Sequence, residues 1–206
     1  MQYKKYFLSF FYYMVAAFGI SLTIKAEIGV SSFNSLNVAI SQVSRIEVGT
    51  ITTLVNIIFL IACFFIEKNR KILEYLFMIL SLICFGSIIN IFLYHFLIGI
   101  QIKNYYLSIL VFTLGTIIAG YGTGRSLHYG ILKFPVEKLC LIFSDKTKRS
   151  FAFYRYGVDI FCIFFSVFIS LTFNFPLFVR EGTILSFLLL TCLLYTSPSP
   201  RDRSLS

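Results

Sequence analysis

Gly29-Val30-Ser31-Ser32-Phe33-Asn34 and Gly130-Ile131-Leu132-Lys133-Phe134-Pro135-Val136-Glu137 decide how this chain folds, because the second stretch is a copy of the first. Ala17-Phe18-Gly19 and the run to Gly29 return near Ala119-Gly120 and Gly130, 101 residues later. After a two-residue insertion, Ser32-Phe33-Asn34 aligns with Pro135-Val136-Glu137 at a spacing of 103. That spacing holds onward, pairing Ser41 with Ser144, Thr52 with Arg155 and Asn56 with Asp159. The chain therefore reads as two copies of one unit, residues 1–100 and 101–191.

What surrounds the repeat is apolar. Hydrophobic residues make up 58% of the chain and the mean hydropathy is +0.85, far above the globular norm. Apolar runs near the roughly 20 residues needed to cross a bilayer recur along it. Six are expected, at residues 7–24, 51–66, 76–98, 106–124, 156–171 and 182–190, the last cut short. Residues 32–44 and 135–143 are too short to cross and suit half-helices. A soluble helical protein of this composition would have almost no polar surface. The expected fold is thus all-α: six transmembrane helices as two three-helix repeats with short broken or re-entrant segments.

The formal charge of +9 follows the loops rather than forming a nucleic-acid surface. Lys4, Lys5, Lys68, Arg70, Lys71, Lys133, Lys138, Lys146, Lys148, Arg149 and Arg155 fall on one set of connections. Lys25, Arg45, Lys103 and Arg180 fall on the other. Positively charged loops stay cytoplasmic. The amino terminus is expected inside, in a bacterial plasma membrane, with the lipid bilayer as the partner and no nucleic acid. The first apolar run is too long for a cleavable signal and reads as the first span. Three spans per copy is an odd number, so the second copy enters the membrane upside down. That arrangement is an inverted repeat about an axis in the membrane plane.

The end of the chain changes character. Residues 192–202, Cys-Leu-Leu-Tyr-Thr-Ser-Pro-Ser-Pro-Arg-Asp, read as the translation of a transposon adapter from a sequencing library. Residues 192–206 are set aside as an expected assembly artefact rather than a polar tail. On that reading the sixth span loses its end.

Broken helices in a membrane survive where protein or a water-filled cavity satisfies the freed backbone groups. Gly29 and Gly130 are the expected break points, since glycine turns where other residues resist. Pro135 suits the first turn of a short helix, where its missing N–H costs nothing. Ser32 is expected to cap the sister helix.

Five polar residues make the candidate substrate site: Asn34, Asn56, Glu137, Arg155 and Asp159. Asn34 and Glu137 are equivalent, as are Asn56 and Asp159. Arg155 and Asp159 lie four apart on one helix face and can pair. Intramembrane acids are costly and point by default to function. The alternative is structural: Arg155 snorkelling to water, Asp159 neutralising it, and the amides gluing helices. Asn90 and His95 read as packing residues. So do Gly115, Gly120, Gly122 and Gly124, whose spacing permits close helix contact. Cys63, Cys84, Cys140 and Cys162 stand singly, with no CxxC or Cys/His cluster, so no metal, cofactor or disulfide framework is expected. No GxSxG, Walker loop, HExxH or nucleotide fingerprint occurs, and an enzyme is not expected.

Ile28-Gly29-Val30-Ser31-Ser32-Phe33-Asn34-Ser35-Leu36, followed by Val48-Gly49-Thr50, resembles the signature of the YczE/YyaS/YitT family of bacterial membrane proteins. In that family a Gly-x-Gly-Pro-Trp-Asp-like run precedes a short helix. Pro135-Val136-Glu137 resembles the second copy of that run, and Glu181-Gly182-Thr183 the Gly-Thr opening of the last span. Here Ser32, Phe33 and Asn34 stand where Pro, Trp and Asp are usual, so the first copy has lost its acid. The resemblance implies a multi-pass plasma-membrane protein. Function is expected to be that of a small-molecule permease with its site between the copies, half-helix amino termini facing an anionic group. The alternative is a non-catalytic scaffold or accessory subunit.

Overall fold

A computed structural model of the chain describes residues 2–67, 71–100, 102, 104–129 and 134–186. Every regular element among them is helical: α1 (Gln2–Lys25), α2 (Ser32–Ser44), α3 (Val48–Ile66), α4 (Ile72–Ile91), α5 (Tyr105–Tyr129), α6 (Pro135–Thr147) and α7 (Phe151–Thr172). A wider π-type turn, Phe92–Phe96, continues α4, and a further helix opens over residues 181–186. Among the described residues five segments are long and apolar enough to cross a membrane: Tyr6–Lys25, Val48–Ile66, Ile72–Phe96, Tyr105–Ser126 and Phe151–Thr172. They correspond to the first five expected spans. The end of the sixth, residues 187–190, the adapter-like tail and Gly130 lie outside the described residues.

The surface is that of a protein solvated by lipid. Phe7, Ile58, Phe65, Tyr106, Ile160, Phe164 and Leu171 point outward, each more than 60% exposed, while Asn34, Asn37, Asn56, Glu137 and Asp159 are buried. In water this distribution would be strongly unfavourable. In hydrocarbon the outer rings cost nothing, and the polar groups gather where they can satisfy one another.

α2 and α6 are 13 residues each. At 1.5 Å per residue each is about 20 Å long, short of the roughly 30 Å hydrocarbon core. Both end in the same way, at positions 103 apart. Arg45 closes α2 with a left-handed φ of 56°, and Lys148 closes α6 with 58°. Ser41 Oγ donates to the Ile46 carbonyl at 2.5 Å, and Ser144 Oγ to the Arg149 carbonyl at 2.7 Å. A reversed backbone plus a side-chain bond across the turn folds each short helix back against the long one that follows. α2 and α3 thus form one hairpin, and α6 and α7 another.

The hairpins grip each other crosswise. α2 packs on α7, and α6 on α3. Ser166 Oγ of α7 donates to the Ser35 carbonyl of α2 at 3.0 Å. Cys63, its equivalent on α3, points its Sγ at the Pro135 carbonyl of α6 at 3.6 Å. α7 reaches inward with one stripe, Asp159, Cys162, Ser166 and Ser170, the spacing of a single helix face; Ile160, Phe161, Phe164 and Phe168 face outward.

α1 and α5 make the most extensive contact in the fold. A Cβ on Gly122 would lie 2.7 Å from the Tyr12 carbonyl, and one on Gly115 3.0 Å from Thr23 Cγ2. Rising along α1 from Tyr12 to Thr23 descends α5 from Gly122 to Gly115, so the two helices are antiparallel. Gly19 meets the Ala119 backbone between those points. Small residues, Gly19, Gly115 and Gly122 among them, allow this approach. A second close crossing joins α3 to α4, where Gly49 and Gly86 touch backbone to backbone. Asn90 is more than packing there: its Oδ1 accepts from the Gly49 N–H at 2.6 Å and its Nδ2 donates to Thr50 Oγ1 at 3.1 Å. It caps α3 from the neighbouring helix, filling the role of the missing side-chain cap at Glu47.

Candidate functional site

The amino termini of α2 and α6 converge inside the bundle. Gly29 makes the first break, with φ +108°, a conformation open to glycine and costly to other residues. The break is held by the segment after α7. Gly182 N–H donates to the Ile28 carbonyl at 2.9 Å and Thr183 Oγ1 to the Val30 carbonyl at 2.7 Å. Pro135 opens α6 as its first residue, as expected. Ser32 departs from expectation. The cap position is Ser31, without a side-chain bond, and Ser32 Oγ instead donates to Asp159 Oδ1. An acid one helix away is a stronger acceptor than the local backbone offers.

Between these ends lies a cavity of about 90 Å³. Four of the five predicted residues, Asn34, Asn56, Glu137 and Arg155, line it. Asp159 stands directly behind, bound through Oδ1 to Arg155 Nη1 at 2.8 Å and to Ser32. Equivalent positions of the two copies both line the space: Ser31 and Phe134, Phe33 and Val136, Asn34 and Glu137, and Thr52 and Arg155. α1, α4 and α5 close it with Ile20, Thr23, Phe85, Phe112, Thr116 and Thr123.

The charges are unevenly partnered. Arg155 commits its short contact to Asp159. Its Nε lies 3.9 Å from Glu137 Oε1, too far for a hydrogen bond. Glu137 Oε2 is buried and accepts a bond from no described residue. Lys138, next in sequence, is directed away, to Glu67 at 2.9 Å and over the Tyr75 ring at 3.9 Å. Asn56 turns its Nδ2 to the Thr52 carbonyl, one turn back on α3, at 2.8 Å. Glu137 is the third residue of α6, and Asp159 meets the first residue of α2. The positive ends of both short helices therefore already face the chain's own carboxylates.

Several members escaped sequence reasoning. The cavity hydroxyls Thr23, Thr116, Thr123 and Ser186 look like ordinary membrane-helix residues, and only the seven-residue spacing of Thr116 and Thr123 hints at a shared face. The Glu67–Lys138–Tyr75 cluster, which ties α6 to α3 and α4, joins residues distant in sequence.

Apolar spanning helices wrapped around a buried polar cavity define a multi-pass membrane protein. The chain belongs to the family of unknown function DUF6198, which it matches over residues 3–195. It is similar to the uncharacterized protein YyaS of Bacillus subtilis (strain 168), 28% identical over 173 residues that cover 84% of this chain and 82% of that one. It is also similar to the uncharacterized membrane protein YczE of the same organism, 26% identical over 153 residues, 73% of this chain and 68% of that one. No solved structure matches it.

Proposed function

We propose that this protein is a small-molecule permease of the bacterial plasma membrane, with no catalytic chemistry of its own. It is built from two three-span copies of opposite orientation, and its ligand binds between them. The observation that carries this reading is the cavity wall, to which equivalent residues of the two short helices both contribute. Antiparallel α1 and α5, and the matched turns at Arg45 and Lys148, support the inverted arrangement. The basic connections put the amino terminus in the cytoplasm. Transporters of this architecture place the site where broken helices meet near the midplane.

The test is a thermal-shift screen of the protein in detergent against amino acids, sugars, nucleosides and organic ions, followed by uptake of any hit into vesicles. At least one solute should raise the unfolding midpoint, and Thr116→Phe, which fills the cavity from α5, should abolish that shift. A shift that persists in Thr116→Phe would place the site elsewhere.

The Arg155–Asp159–Ser32 linkage favours the second reading, a scaffold or accessory subunit whose polar residues only hold helices together. On that reading Asp159→Asn lowers the midpoint and no solute raises it.

A further inference from the structure

We infer that Glu137 is a proton-binding site, its carboxyl carrying a proton on Oε2 in the conformation described here. The inference rests on the permease reading for its use, as the coupling ion, but its evidence is separate. Glu137 is 92% buried by its 8% relative exposure, and it forms part of the cavity wall. Its Oε2 is shielded from solvent and has no hydrogen-bond donor among the described residues. A carboxylate oxygen left bare in a membrane interior is among the costliest arrangements a protein can hold. A proton on that oxygen removes the charge, the larger part of that cost, without moving any heavy atom.

The surrounding charges agree. α7 presents Arg155 and Asp159, which neutralise each other at 2.8 Å and leave Glu137 at 3.9 Å from the guanidinium. α1 presents Tyr13, and α6 itself carries Cys140 and Lys138. Lys138 is bound to Glu67. α2, α3 and α5 contribute Asn34, Thr52, Asn56, Thr116 and Thr123, which do not titrate near neutral pH. With Glu137 protonated, the core of the site is electrically neutral. With Glu137 ionised, it carries one excess negative charge. Arg155 has two carboxyls within reach and gives its close contact to Asp159. Opening the cavity to water would hydrate Glu137 and release the proton, the step a proton-coupled carrier requires. The reaction is a simple dissociation, carboxyl to carboxylate plus a proton delivered to water.

The experiment is infrared spectroscopy of the full-length protein reconstituted in lipid at neutral pH. The spectrum should contain the carbonyl stretch of a protonated carboxylic acid. That band should vanish in Glu137→Gln and persist in Glu181→Gln, which removes an exposed carboxylate outside the cavity. Glu137→Gln, which copies the neutral acid in shape and charge, should also leave the thermal midpoint within about 2 °C of the parent, a shift worth about 0.5–1 kcal/mol. Absence of the band in the parent protein, or its survival in Glu137→Gln, overturns the inference. So does a large loss of stability in Glu137→Gln, which would mean an ionised Glu137 paired with Arg155. If the band behaves as expected but no solute binds, the permease reading fails and the proton site stands.

Discussion

Arg155→Met is expected to lower the stability of this protein by about 3–5 kcal/mol, the cost of breaking one side of a buried ion pair. The physical reason lies in what remains. Among the described residues Asp159 would keep only the hydroxyl of Ser32 as a partner while its carboxylate stays buried. Methionine approximates the length of the arginine stem, so packing changes little and the charge effect dominates. The double variant Arg155→Met/Asp159→Asn should recover much of the loss, because the stranded charge is gone. Guanidinium or thermal unfolding in detergent measures both. A single variant within about 1 kcal/mol of the parent would mean that the pair behaves like a solvated surface bridge.

Gly86→Val is the second large effect. A Cβ at Gly86 would overlap Thr53 Oγ1 and the Gly49 carbonyl, and neither can retreat while α3 and α4 stay in contact. The helices must separate, which also pulls Asn90 from the amino terminus of α3. The expected loss is at the upper end of the range of about 1–3 kcal/mol for overpacking. Gly157→Val is the control. Nothing lies within 4 Å of a Cβ there, on the outward side of α7, so the midpoint should hold or rise slightly. If both substitutions have the same small effect, the α3–α4 crossing is looser than described.

Much of this arrangement was legible in the sequence because the repeat ties local chemistry to position. Gly29 marks a break and Pro135 a helix start wherever they occur, so both could be placed without neighbours. The spacing of 103 then paired Asn34 with Glu137, which both line the cavity, and Asn56, which also lines it, with Asp159, which stands behind. Arg155 and Asp159 were readable as a pair from their four-residue spacing. What escaped depends on contacts between distant segments. Ser32 reads as a cap because local rules favour serine there, yet Asp159 lies 127 residues away and is the better acceptor. Asn90 reads as filler until α3 is seen to end against it. The placing of Glu137 and Asp159 at the amino termini of the two short helices likewise shows only in the fold.

The central claim is that the two hairpins, α2–α3 and α6–α7, are copies facing opposite sides of the membrane. It is tested most directly by labelling Ser44→Cys and Thr147→Cys, which occupy equivalent exposed positions at the two turns. Each is placed alone in a chain whose own cysteines are replaced by alanine. The account predicts that a membrane-impermeant maleimide labels Ser44→Cys in intact cells and Thr147→Cys only after the cells are opened. Labelling of both from the same side would contradict it.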